Sequence, residues 1–337
     1  MTMLDPAKSR PFSIFRAILL RTNGQLSLLL AALLVLFTLL IGTKFLAPTT
    51  MQSMAFQLPE LGILSLAMMI TLLKGGLNLS IIATANFCAL TMAYCLAHLV
   101  PGTEGALFWL MLLVSFGAGL IAATIIGLIN GYVIAYLGVS PILATLGTMT
   151  LVKGISIGLT RGNVLSGFPE PVVFIGNGTV YGLPFAMFVF IACAIPVSIW
   201  LARTPTGNAI YMIGSNEKAT RYSGVDTRKV MLKVYVVSSL LACVAAVVMM
   251  ARFNSANATY GESYLLVTIL AAVLGGIDPF GGAGKVMGLI LSLVILQVIS
   301  SAFNLLGLSQ FLTLSIWGVI LVAATAIALR YRTTSKR

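Results

Sequence analysis

Eight carboxylates, one histidine and four cysteines are the groups this 337-residue chain offers for acid–base, nucleophilic or metal chemistry. The acids are Asp5, Glu60, Glu104, Glu170, Glu217, Asp226, Glu262 and Asp278, and each reads as lying in a loop or near the end of an apolar run. His98 stands at the end of such a run, and Cys88, Cys95, Cys193 and Cys243 fall inside apolar runs with no Cys-x-x-Cys pair. A nucleophile needs a base within reach and a metal needs clustered ligands. Inert thiols and an interfacial histidine are therefore expected, with no metal and no cofactor. A membrane-embedded enzyme is disfavoured on the same ground. A secondary transporter or channel for a small polar solute would place carboxylates inside its bundle, which this distribution does not do.

The unusual chemistry is backbone chemistry. Lys74-Gly75-Gly76-Leu77-Asn78 interrupts one apolar region, and Gly275-Gly276-Ile277-Asp278 interrupts another 200 residues later. Glycine pairs ease a bend and admit a neighbouring backbone, while Asn78 or Asp278 can cap the helix that restarts. Gly-interrupted short helices in two halves of a transporter point to a substrate path; the alternative is a pair of tight turns with Lys74 and Lys285 snorkelling. Lys153 lies midway along an apolar span, so it either snorkels outward or faces the bundle interior. Asn78, Thr84, Asn86, Thr145, Thr148, Gln297 and Ser300 are polar residues on apolar spans. They either line the path or bond neighbouring helices together.

The elements that must hold these residues follow from composition. Hydrophobic residues make up 59% and charged residues 8% of the chain, with a mean hydropathy of +1.05. A soluble fold carries about 25% charge, so the greasy faces of this chain must meet lipid. Backbone in lipid has to bond within its own span, and long unbroken apolar runs choose helices. The fold class is all-α, a polytopic membrane protein of about ten transmembrane helices. The spans are read near 24–42, 60–73, 79–99, 106–136, 141–159, 183–201, 231–251, 264–277, 286–303 and 311–329. Two of them, 60–73 and 264–277, are short and end at the glycine breaks. Residues 1–23 form a cytoplasmic segment leading into an uncleaved first helix, 24–329 the permeation domain and 330–337 a cytoplasmic tail.

With both termini inside, 16 of the 20 cations fall on the inner side. The +12 charge is thus a topology signal and not a nucleic-acid footprint. Lys44, Arg161 and Arg252 remain outside, where they could meet acidic groups of a docking protein or lipid headgroups. The longest inner loop, 202–230, contains a short helix pattern. Ser215 or Asn216 can cap it, Ala219, Tyr222 and Ser223 share a face, and Gly224 can stop it. It offers a knob to a cytoplasmic partner, or is a solvated basic loop.

Four runs carry a resemblance: Pro141-Ile-Leu-Ala-Thr-Leu-Gly-Thr-Met-Thr150, Ser166-Gly-Phe-Pro169, Gly214-Ser-Asn-Glu-Lys-Ala-Thr-Arg-Tyr-Ser-Gly-Val225 and Ala271-Ala-Val-Leu-Gly-Gly276. Together with Gly281, Gly282 and Gly284 they resemble the membrane permeases of ribose-type ABC sugar importers, over roughly residues 60–325. The resemblance implies a sugar or polyol importer of a bacterial inner membrane. It implies a separate cytoplasmic ATPase, a periplasmic sugar-binding protein, and a second copy or sister permease. It also implies that Ser215, Asn216, Glu217, Lys218, Ala219, Arg221, Tyr222 and Gly224 belong to the segment that couples to the ATPase. The chain departs from the pattern at Asn78, where the family usually has aspartate, and at Ile81–Asn86, where it has a glycine-containing stretch. No phosphate-binding Gly-x-x-x-x-Gly-Lys-Ser/Thr loop occurs: before and after Gly284-Lys285 stand Pro279 and Val286.

Overall fold

The computed structural model describes residues 22–334, so the cations expected at the N-terminus and the last three residues lie outside the described part. Twelve helices follow one another: α1 Thr22–Ile41, α2 Pro48–Leu73, α3 Ile81–Leu99, α4 Gly105–Ala135, α5 Pro141–Thr160, α6 Glu170–Asn177, α7 Phe185–Arg203, α8 Pro205–Tyr222, α9 Thr227–Phe253, α10 Tyr264–Leu274, α11 Val286–Leu305 and α12 Gln310–Thr334. Eight of them, α1 to α5, α7, α9 and α11, are long and apolar enough to cross a membrane, and α10 and Phe311–Ala323 of α12 are shorter apolar helices. The chain is a multi-pass membrane protein.

Two helices form the centre. Helix α2 is buried almost continuously from Leu58 to Leu73, and α9 packs against α2, α3, α4 and α6. Both therefore lose contact with lipid, which is why their side chains include Ser65, Ser238 and Ser239 with no exposure. Helices α4 and α7 pack against this centre, α1 against α11 and α5 against α3 and α4, and all four keep large apolar side chains outward, among them Leu39, Leu113, Leu151 and Ile195.

The first short span is corrected by the structure. Helix α2 has 26 residues and begins at Pro48, twelve before the expected start at residue 60. Pro59 suggests a boundary because it removes one helical hydrogen bond, but here it sits inside the helix. At 1.5 Å per residue α2 is about 39 Å long, enough to cross the hydrocarbon. The second short span is real: α10 has 11 residues. It covers only about half of a hydrocarbon core of roughly 30 Å. Its missing half is irregular chain, in which Ser255–Ala256 pairs antiparallel with Leu165–Ser166, Leu165 opposite Ala256.

Candidate functional site

At the end of the bundle that carries Lys74, Lys218 and Lys285, both glycine breaks close their helices alike. Gly75 has φ +85° and Gly276 φ +80°, left-handed backbone that glycine adopts without a Cβ clash. Gly76 N–H donates to the Thr71 carbonyl at 3.0 Å, and Ile277 N–H to Ala272 at 3.1 Å. Asn78 and Asp278 do not cap the restarting helices as expected: the caps are Ser80 for α3 and Lys285 for α11. Each instead folds back on its own loop, Asn78 Oδ1 accepting from Ser80 N–H at 3.2 Å and Asp278 Oδ1 from Phe280 N–H at 2.9 Å. Their short side chains satisfy a backbone donor two residues on, which competes with a helix start.

The two breaks touch. Gly282 N–H donates to the Leu73 carbonyl at 2.8 Å, so the loop after the second break hydrogen-bonds to the last turn of α2. Gly214 of α8 is wedged into the same contact: a Cβ there would lie 2.1 Å from the Leu73 oxygen and 2.3 Å from Gly282 N. A Cβ on Gly281 would meet Gly75 N at 2.6 Å. Tyr211 on α8 adds a hydrogen bond to the Gly284 carbonyl at 3.0 Å. Three segments thus meet backbone to backbone, which only glycine permits.

The next residues on α8 leave the bundle. The expected inner loop is largely helical, with a break at Asn216 (φ −160°, ψ 100°), whose side chain accepts from Ala219 N–H at 3.0 Å. Asn216, not Ser215, therefore caps a new short helix. Glu217, Lys218, Ala219 and Arg221 are exposed, Tyr222 is 93% exposed, and Thr220 alone points inward. Gly224 at φ +82° ends the turn. Lys74, expected to snorkel if the breaks are ordinary turns, is buried with its ammonium 4.9 Å from the centre of the Tyr235 ring. Burial pushes it down to about 8, against the field of Glu217.

Inside the bundle, Asn78 bonds helices together. Asn130 Nδ2 donates to Ser80 Oγ at 2.9 Å, and Ser80 Oγ to Asn78 Oδ1 at 2.7 Å. Asn78 Nδ2 donates to Ser238 Oγ at 3.0 Å, and Ser238 Oγ to the Ala67 carbonyl at 2.9 Å. This chain of bonds joins α4, the first break, α9 and α2. Thr145 ties α5 to the same break, accepting from Leu79 N–H at 3.1 Å. Gly76 sits under α5 and α9, where a Cβ would lie 3.0 Å from Pro141 Cβ and from the Tyr235 oxygen. Gly275 faces α11, where a Cβ would lie 2.8 Å from Leu289 Cα. Thr148 is half-buried on α5.

Farther along the bundle two cavities open. One, of about 190 Å³, is lined by Asn86, Lys153 and Glu262 with apolar neighbours. Lys153 is held by Glu262 at 2.7 Å, so it neither reaches outward alone nor lies bare in the interior. The other, of about 140 Å³, is lined by Gln57, Gln297, Ser300 and Thr313. Gln297 Nε2 donates to Gln57 Oε1 at 3.2 Å.

Two sequence expectations fail together here. Glu60 is not at a span end but thirteenth in α2, fully buried, and Arg252 is not free on the surface. Arg252 Nη1 and Tyr264 Oη both donate to Glu60 Oε1 at 2.6 Å. A buried carboxylate needs a cation, and Arg252 supplies it from the end of α9. The signal was available: an acid after proline matters only if the helix continues through that proline. Lys44 and Arg161 are exposed.

Comparison with known proteins adds the lineage. Residues 50–325 match the family described as branched-chain amino acid transport system / permease component. The ribose import permease protein RbsC of Bacillus subtilis (strain 168) is 31% identical over 297 residues, 88% of this chain and 89% of that protein. The autoinducer 2 import system permease protein LsrD of Photorhabdus temperata is 28% identical over 304 residues, 88% of each. The LsrD protein of Yersinia pseudotuberculosis serotype O:3 (strain YPIII) is 27% identical over the same length. No solved structure matches. Because the match takes in the central helices, both breaks and the α8 segment, the chain belongs to the permease-component family of branched-chain amino acid transport systems.

Proposed function

We propose that the chain is the membrane permease of an ABC importer, passing a sugar or related polyol delivered by a periplasmic binding protein across a bacterial inner membrane. Both termini are cytoplasmic, a separate ATPase supplies the energy, and a second copy or a sister permease completes the pore. The observation that carries this reading is the end of α8. A capped short helix stands clear of the bundle with Ala219 and Tyr222 outward, while Gly214, two residues before its cap, is locked to both glycine breaks. A partner that grips the knob moves the junction, and the junction is the end of α2 and the loop leading to α11. ATP-driven closure of the partner thereby alternates access to the path. Lys44 and Arg161 face the binding protein, and the relatives named for ribose and autoinducer 2 import support the solute class.

Exposed ion pairs contribute about 0–1 kcal/mol, so packing by Ala219 and Tyr222 outweighs the charges of Lys218 and Arg221. Ala219→Arg is expected to insert at normal levels and lose ATPase assembly or ATP-driven uptake, with Lys218→Ala nearly normal. Normal uptake by Ala219→Arg sinks the coupling role. A secondary transporter is favoured by one observation, the membrane-embedded Glu60, whose Oε2 lacks a hydrogen-bond partner. Uptake that persists without ATPase and stops with a protonophore would establish that reading instead.

A further inference from the structure

The cavity beside Lys153 has the makings of a solute site. Asn86 is 1% exposed and commits its amide N–H groups to the carbonyls of Ala258 and Tyr260, at 3.0 and 2.9 Å. Its amide oxygen is buried with no partner. An acceptor left so is costly unless something donates to it. Glu262 uses one oxygen on Lys153, and its side chain is 53% exposed against 38% for Lys153, so the pair stands at an opening and not in the packed core. A carboxylate has a second oxygen to offer, and an ammonium has two further N–H groups.

The short α10 is what brings these groups to membrane depth. Glu262 lies two residues before its start, and Lys153 is thirteenth of the twenty residues of α5. The charges cancel, and Ile82, Met149 and Leu265 supply apolar wall. We propose that this cavity holds a neutral polyhydroxylated solute in passage, its adjacent hydroxyls donating to Glu262 and Asn86 and accepting from Lys153. The site rests on the importer reading, and it identifies Glu262, which no sequence pattern singled out, as a specificity-determining residue. A zwitterion would have to break the Lys153–Glu262 pair to bind, whereas a polyol bonds beside it.

The test uses the assembled importer in liposomes, with D-ribose and 2-deoxy-D-ribose each at saturating concentration so that delivery is equal. Wild type should carry ribose at least about fivefold faster, because the deoxy sugar lacks one adjacent hydroxyl, and Glu262→Gln should bring the ratio near one. The reversed pair, Lys153→Glu with Glu262→Lys, should restore the amount of protein in the membrane while the ratio stays near one. It decides the matter alone if Glu262→Gln does not accumulate. An unchanged ratio in Glu262→Gln, or a wild-type ratio in the reversed pair, overturns the site and leaves a structural clasp. A wild type that moves L-leucine, or neither pentose, overturns the ligand class. Flux without ATP sinks the importer reading, which is a separate result.

Discussion

At the first break a 26-residue helix ends on Gly75, and the chain restarts six residues later with Asn78, Ser80 and Gly76 all buried. At the second, an 11-residue helix ends on Gly276, exposed like Gly75, and the chain restarts ten residues later at Val286. The caps are alike, yet the first break is held by a chain of side-chain bonds reaching α4, α9 and α2, and the second by one Asx turn, the Tyr211 hydrogen bond from α8, and its contacts with α11 and the first break. The difference teaches that a shared backbone motif need not share a load. The first break is a fixed support, and the loop after the second is the piece seated on it.

The largest expected effect falls where the two meet. Gly214→Ala puts a methyl group into the Leu73 carbonyl and Gly282, and should destabilise the protein by about 3 kcal/mol, read as thermal unfolding in detergent. A neutral result would mean that α8 does not bind the breaks together. Next, Gly76→Leu should cost about 2 kcal/mol by crowding Pro141 and Tyr235, and reduce uptake more than protein level. Gly276→Leu, exposed but left-handed, should cost about 1–2 kcal/mol. A larger uptake defect in Gly276→Leu would reverse the assignment of support and seated piece.

Ser238→Ala strips the buried Asn78 amide of its acceptor and should cost about 1.5 kcal/mol, whereas Asp278→Ala should stay below about 1 kcal/mol. Equal values in chemical unfolding would erase the contrast. The smallest effect is a pH response at the first break. Lys74 is lowered to about 8 from an ordinary 10.5, so between these values the unfolded chain holds more protons and stability rises with pH. Below about 8 both states are charged and the penalty is complete. Stability should therefore gain about 1 kcal/mol from pH 8 to 9, and Lys74→Met should flatten that rise. A rise that survives the substitution assigns it elsewhere.

Hydropathy made most of the spans legible, because lipid tolerates so little polar surface that apolar runs and helices coincide. It failed at the start of α2, where Gln57, Pro59 and Glu60 interrupt the apolar run although the helix continues through them. The capped knob at 215–225 could be read from local residues, since an N-cap and a glycine stop act within one turn. Long-range partners could not. Arg252 looked like a free outer cation because its acid stands 192 residues away, and Glu262 looked like a loop acid because nothing local ties it to Lys153. Gly214 opens one of the four runs that carry the resemblance, but nothing local shows that it has no room for a Cβ, because Leu73 and Gly282, which would meet it, are distant in sequence.

The ion pair between Glu60 and Arg252 also sets a timetable for biogenesis. The acid leaves the ribosome 192 residues before the guanidinium that neutralises it. At synthesis rates of about 5–20 residues per second the wait is roughly 10–40 s. During that interval α2 carries a carboxylate without its cation, which is costly in lipid, so full insertion of α2 is expected to wait for α9. Chains truncated before residue 252 should accordingly leave α2 less completely inserted, by glycosylation mapping, than the full-length chain does.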